Sequence, residues 1–249
     1  MNQKMKSPIR VPNALLPASH LDMKKWAVIA CDQFTSQPEY WKQLETYING
    51  EPSTLQMILP EVYLEQATDD MIESINNTMQ KYLDDNHLRP IGQGMILVDR
   101  KTKEHEQRLG LIMNIDLEAY SYKEGSQPLI RTTEKTIIER IPPRARIRKD
   151  APLELTHVML LMDDKKQHII EKLYQKRNGF NKLYDFDLNM DGGHITGYHV
   201  VDTDEVIDAF MKLIEDDQNP ILFVAGDGNH SLATAKEHWN ELKKTLQPE

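Results

Sequence analysis

Apolar positions along the chain follow two periods. Four stretches repeat at helical spacing. In 34–48 (FTSQPEYWKQLETYI), Tyr40, Leu44, Tyr47 and Ile48 recur on one face, Ser36 is a candidate cap, and Pro38 suits a first turn. Residues 67–86 carry Met71, Ile75, Met79 and Leu83 as a stripe behind Thr68, Asp69 and Asp70. A helix opens at Thr203 and runs to Ile214, and another spans 231–246 on Leu232, Ala235, Trp239, Leu242 and Leu246. Weaker patterns place helices over 133–140, where Thr132 or Thr133 caps, and over 165–174. Short apolar or alternating runs predict strands at 26–31 (WAVIAC), 54–58, 94–100, 108–117, 155–162, 184–188, 194–201 and 221–225. Pro8, Pro12 and Pro17 keep the first 21 residues irregular, and Gly50, Pro90, Gly92 and Pro142-Pro143 interrupt the patterns. Helices and strands intermix without a repeat, which predicts an α/β or α+β fold of mixed β-sheets flanked by helices.

Composition narrows the classes. The chain has 249 residues and a net charge of −9, from 30 Lys and Arg against 39 Asp and Glu. So acidic a chain repels nucleic acid unless it carries a local basic patch. No apolar run approaches the roughly 20 residues that cross a bilayer, and the N-terminus lacks a signal-peptide core. One cysteine, Cys31, excludes internal disulfides and cysteine-rich zinc sites and fits a cytoplasmic protein. Cys31 reads as a small buried hydrophobe, and Asp32 as a ligand-facing residue or a turn cap. His194 and His199 fall on opposite faces of one strand, against a two-histidine metal site, and His157 reads as an ordinary strand histidine.

The chemistry concentrates at 223–231 (FVAGDGNHS). A buried strand enters a glycine turn and a helix starts there, so free N–H groups of the first turn point at any bound anion. Gly226 and Gly228 allow close backbone approach. Asp227 suits a metal or base role, His230 a phosphate donor, and Asn229 and Ser231 add polar groups. The competing reading is a glycine turn with Asp227 or Asn229 as cap. A second candidate is Arg131-Thr-Thr-Glu134-Lys-Thr136, in which Glu134 suits a general base or magnesium ligand and Arg131 neutralises phosphate. Its competing reading is a solvated helix start. Glu139, Arg140, Arg144, Arg146 and Arg148 follow as a local basic cluster, which reads as a solvated face or as the one place that attracts an anionic ligand.

Residues 225–235 (AGDGNHSLATA) resemble the Asp-Gly-His-His-Arg signature of the bacterial and archaeal domain of unknown function 1015 family, and 26–41, 130–144 and 156–164 are similar to it as well. Asp227, Gly228 and His230 match; Asn229 stands where the first His is usual and Ser231 where Arg is usual. Arg131, Glu134 and Thr136 match the R-x-x-E-x-T pattern of the family. Losing the signature Arg removes a bidentate clamp, which Arg131, Arg140 or Arg144 would replace. The resemblance implies a single family region over 1–249, with two lobes of about 1–125 and 126–249 as the alternative, in a chain lacking a C-terminal part. It also implies a ParB/sulfiredoxin-like core that includes the strand, turn and helix at 221–246.

That superfamily binds nucleotides at such a helix start and includes free-serine kinases. The implied function is a nucleotide-binding small-molecule kinase or phosphotransferase acting in serine or phosphoserine metabolism. A nucleoside triphosphate or diphosphate with Mg²⁺ would be its cofactor. Glu134, Asp227 and His230 would be catalytic; Asp227 and Glu134 would hold the metal; Gly226, Gly228, Asn229, Ser231, Arg131 and Thr136 would bind the cofactor. The alternative is a nucleotide-binding regulator without turnover. The expected partner is a small molecule or nucleotide, with neither nucleic acid nor membrane; the oligomeric state is open. A sulfiredoxin reaction needs a cysteine in the turn and a ParB-like clamp needs a basic module, and the chain has neither.

Overall fold

The computed structural model describes residues 6–30, 34, 36–214 and 218–246. The expectations for Cys31 and Asp32 lie outside the described residues. The chain runs through β1 (Ile9–Arg10), β2 (Asn13–Pro17), α1 (Met23–Trp26), α2 (Pro38–Ile48), α3 (Asp69–Asp84) and β3 (Leu88–Gln93). Next come β4 (Met95–Lys101), β5 (Arg108–Ile112), β6 (Asn114–Ile115), β7 (Ile130–Thr132), α4 (Ile141–Arg148) and β8 (Met159–Leu161). The last third holds α5 (Ile170–Gln175), β9 (Asn181–Asp187), β10 (His194–Val200), α6 (Asp204–Met211), β11 (Phe223–Asp227) and α7 (Asn229–Thr245). The fold is a mixed α+β arrangement, as the intermixed periods predict. No described helix is long and apolar enough to cross a membrane.

A four-stranded antiparallel sheet has the order β5-β4-β10-β9, and a three-stranded sheet has the order β7-β11-β8. In the second sheet β11 is central, parallel to β7 and antiparallel to β8. The principal core lies where these sheets meet α6 and α7. Met95, Leu97 and Val200 from the first sheet join Ile130, Phe223 and Ala225 from the second, with Val206, Phe210 and Leu232 from the helices. Residues on both sides of position 125 therefore share one core. The Phe210 and Phe223 rings meet edge to face at 5.5 Å, which seats α6 on β11. A second cluster packs Trp26 and Met57 on Ile75, Met79 and Tyr82 of α3, and a third gathers Tyr40, Trp41, Leu44 and Ile48 of α2.

Several local expectations fail for identifiable reasons. Residues 26–30 form no strand. Asp22 caps the Lys24 N–H and starts α1, and the Trp26 carbonyl accepts from the Thr54 hydroxyl at 2.8 Å. Asn189 donates to the Lys24 and Ala27 carbonyls, so side chains take the bonds a ladder would use. Thr54–Met57 is a 3-10 turn because Ser53 and Gln56 form a capping box. On α3 Ile75 and Met79 are buried as expected, but Ile72 and Tyr82 complete the buried stripe in place of Met71, which is exposed, and Leu83, which is half-buried. Pro38 does open α2, but Gln37 occupies the cap position and Ser36 does not cap. Residues 133–140 are a loop and a 3-10 turn, and Pro142-Pro143 open α4 rather than break it, since the first turn of a helix needs no N–H from them. β3 continues through Pro90 and Gly92, although its register with β2 shifts between Pro90 and Gln93. Strand 155–162 shrinks to Met159–Leu161, which leaves His157 exposed outside it, its Nδ1 2.6 Å from the Leu155 carbonyl.

The β9–β10 hairpin depends on Gly193. Its φ of +86° lies in the left-handed region, and a Cβ there would sit 1.9 Å from the Lys101 carbonyl oxygen. Gly110 in β5 has nothing within 4 Å of the same construction. Gly193→Ala should lower stability by about 3 kcal/mol, combining the left-handed penalty with a backbone clash. Gly110→Ala should change it by less than about 0.5 kcal/mol. Urea melts of the two variants check this, and equal midpoints would refute it.

Candidate functional site

β11 delivers the glycine turn by way of its two neighbours. Its parallel pairing with β7 puts Ala225 opposite Thr132, so the C-terminal ends of both strands open at the same place. Ligands in sheets with parallel strands commonly bind at that end. Gly228 reverses the chain in one residue at φ +82° and serves as N-cap of α7. A Cβ on Gly226 would meet Leu161 at 2.8 Å, so the absence of a side chain lets β8 lie close. No side chain among the described residues caps α7. Its first N–H groups are therefore open to an external acceptor.

The loop after β7 is fastened to this turn. The Thr133 hydroxyl donates to the Ala225 carbonyl at 2.6 Å. The Asn229 amide accepts from the Thr133 N–H at 3.4 Å and donates to its hydroxyl at 3.3 Å. The Ile137 N–H donates to Nε2 of His230 at 3.2 Å. α4 packs along α7 and carries Arg144, with Arg140 just before it. Together these elements line a cleft of about 230 Å³ containing Thr133, Glu134, Arg140, Arg144 and residues 226–231. Glu61 reaches its edge from a 3-10 turn, Glu61–Gln66.

The expected residues fall into three groups. Glu134, Gly226, Asp227, Gly228, Asn229, His230 and Ser231 all line the cleft. Within it Asn229 is a buried fastener whose amide is spent on Thr133, and Asp227 already accepts the Gly228 N–H at 2.7 Å. Arg131 and Thr136 do not line it. The Arg131 guanidinium bonds the Pro128 and Pro220 carbonyls and the Asn219 amide oxygen, bracing the chain that leads into β11. Thr136 is buried, and its hydroxyl has no hydrogen-bond partner among the described residues. Arg140 and Arg144, raised as substitutes for the missing signature Arg, are the cations that the cleft does contain. Glu61 was not foreseen, because its segment lacks any motif and meets the cleft only through tertiary packing.

Charge in the cleft is nearly balanced. Glu61, Glu134 and Asp227 face Arg140 and Arg144. Among the described residues no group of three His, Cys, Asp or Glu side chains converges to hold a metal. His194, separately, lies between Asp187 and Asp185 at 2.8 and 2.7 Å, and they raise its pKa, while Lys182, then His194, hold the Asp185 carboxyl down at about 2. His199 is buried, and its Nε2 has no hydrogen-bond partner among the described residues.

Desolvation, then the charges of Arg140 and Arg144, hold the His230 pKa below its ordinary value. Because Nε2 accepts the Ile137 N–H, the neutral ring carries its proton on Nδ1. As pH falls below about 6.5, the unfolded chain protonates His230 before the folded one does, so stability declines until the lower folded pKa is passed. His230→Gln should remove that decline, making urea-melt stability flatter than wild type across this acid window. A difference curve between the two proteins that is flat with pH would contradict it.

No curated protein matches the chain, and no solved structure does. A family model described as a protein of unknown function (DUF1015) matches residues 15–249, which include every residue that lines the cleft. The chain belongs to the DUF1015 family.

Proposed function

We propose that the cleft at the β11–α7 turn binds the phosphate groups of a nucleotide, and that the protein is a small-molecule phosphotransferase. The observation that carries this reading is the convergence of an uncapped helix start with two guanidinium groups on one polar cleft. Open N–H groups, the helix dipole and guanidinium forks are complementary to phosphate oxygens. Phosphoryl transfer is mainly positioning and charge neutralisation, and Glu134 at the same cleft suits the proton-accepting role on a substrate hydroxyl. The resemblance of the turn to ParB/sulfiredoxin-like proteins points to a hydroxy amino acid such as serine as acceptor.

The carboxylates qualify what binds. Asp227 and Glu134 oppose a bare polyphosphate. Mg²⁺ typically takes one or two carboxylates with the remaining ligands from phosphate and water, so these two residues suit a metal that arrives with the nucleotide. The volume favours a second reading. About 230 Å³ is less than the usual lower limit of about 300 Å³ for a ligand pocket, enough for a phosphate chain but not for a second substrate. A nucleotide-binding regulator without turnover needs no more room than that.

Titration calorimetry with ATP and ADP, with and without Mg²⁺, tests the shared part. Binding should be Mg²⁺-dependent, and Arg140→Ala should weaken it by about 1.5 kcal/mol, the lower end for a hydrogen bond to a charged group. Thermal unfolding of the free variant should match wild type, since Arg140 is exposed and makes no ion pair among the described residues. Equal affinities for wild type and Arg140→Ala would remove the site. Phosphorus NMR with ATP and serine then separates the readings: a new phosphomonoester signal supports transfer, and unchanged ATP supports the regulator.

A further inference from the structure

We propose that Glu61 is a built-in competitor for the cleft, its carboxylate holding Arg144 in place of a ligand's anionic group until that ligand displaces it. This rests on the phosphate-binding reading above. The Arg144 side chain is only 15% exposed, so its charge needs an anion beside it. Its Nη1 donates to the Arg140 carbonyl at 2.9 Å and its Nη2 pairs with the Glu61 carboxylate. Each terminal nitrogen thus has one of its two N–H groups engaged, and the carboxylate sits against the guanidinium where a phosphate would bind. A phosphate at that position and the Glu61 carboxylate exclude each other by space and by charge.

Glu61 is also the carboxylate of the cleft that leaves most easily. Asp227 terminates a central strand and is bonded to the Gly228 N–H, while Glu134 sits in the loop anchored by Thr133. Glu61 belongs to a separate 3-10 turn in which no side chain is buried, and its own side chain is 42% exposed. Rotation about its side-chain bonds moves the charge into solvent without touching the core. Its departure leaves Glu134 and Asp227 facing Arg140 and Arg144, an even balance that accepts a phosphate carrying its own counter-cation. The neighbouring arginines do not share this arrangement. Arg146 pairs with Asp69 and Arg148 with Glu154, neither of which lines the cleft. Those pairs hold α4 in place whether or not Glu61 stays.

The test is titration calorimetry of pyrophosphate in excess Mg²⁺ against wild type, Glu61→Gln and Asp69→Asn. Glu61→Gln keeps the shape and removes the competing charge, and it should bind pyrophosphate about fivefold more tightly, the effect expected for a half-exposed ion pair. Asp69→Asn makes the same change of net charge on the neighbouring pair and should leave affinity within about twofold of wild type. Binding seen only in Glu61→Gln would support the proposal still more strongly. If Glu61→Gln binds no tighter than wild type, or if Asp69→Asn tightens binding equally, Glu61 is not a competitor, and the phosphate site survives without it. If neither wild type nor Glu61→Gln binds pyrophosphate, and both unfold at the same temperature, the site and the competitor fall together.

Discussion

The parallel pairing of β7 with β11 is the constraint on which the cleft depends. A parallel ladder brings the same ends of two strands together, here joining chain segments more than 90 residues apart. The loop that follows β7 and the turn that follows β11 then open on one side. An antiparallel pairing would have sent them to opposite ends of the sheet. Ile130, Phe223 and Ala225, buried on the inner face, make that pairing costly to shift, because a slip by one residue would turn them outward. The bond from the Thr133 hydroxyl to the Ala225 carbonyl continues the register for one step beyond the ladder.

Legibility in the sequence followed the range of the forces involved. The turn and α7 were readable because their determinants are local: an apolar run, two glycines and a stripe of Leu232 and Ala235. Even there the strand begins at Phe223, and α7 starts at Asn229, two residues ahead of the expected position. The 26–31 run was misread because nothing local says that Thr54 and Asn189 will take its backbone bonds. Pro142-Pro143 was misread for the opposite reason: proline is a breaker inside a helix and a good starter at its beginning, and only the position of α4 decides which. Arg131 matched a pattern yet turned to Asn219 and Pro220, since spacing along a chain does not fix the direction of a side chain on a strand. Glu61 carried no signal at all, because its place at the cleft is set by how α4 docks against the N-terminal segments.

That docking is electrostatic in a consistent way. α4 has little apolar stripe of its own, with only Ile141 buried. Arg144, Arg146 and Arg148 each find a carboxylate on a different neighbour: Glu61, Asp69 and Glu154. Exposed pairs of this kind are individually weak. Their value here is geometric: the pairs with Glu61 and Asp69 tie α4 to the N-terminal part of the chain, the pair with Glu154 ties its end to the segment that follows it, and its packing along α7 brings Arg140 and Arg144 to the glycine turn. The basic run that looks like a solvated face in the sequence is largely neutralised, leaving Arg140 as the member without a carboxylate partner among the described residues.

The polar lining of the cleft divides into groups spent on structure and groups left for chemistry. Asn229 and Thr133 satisfy each other, and the Ile137 N–H occupies one nitrogen of His230, so these side chains hold the walls together. Neutral His230 adds no charge at the helix start, where a third cation would repel Arg140 and Arg144. What remains is the first turn of α7, the Arg140 guanidinium, and the carboxylates of Glu134 and Asp227. Donors and acceptors alternate on both segments, Asp227 beside the start of α7 and Glu134 on the segment that carries Arg140, an arrangement that discriminates against a simple anion as well as a simple cation. It favours a ligand presenting both signs within the span of a phosphate chain.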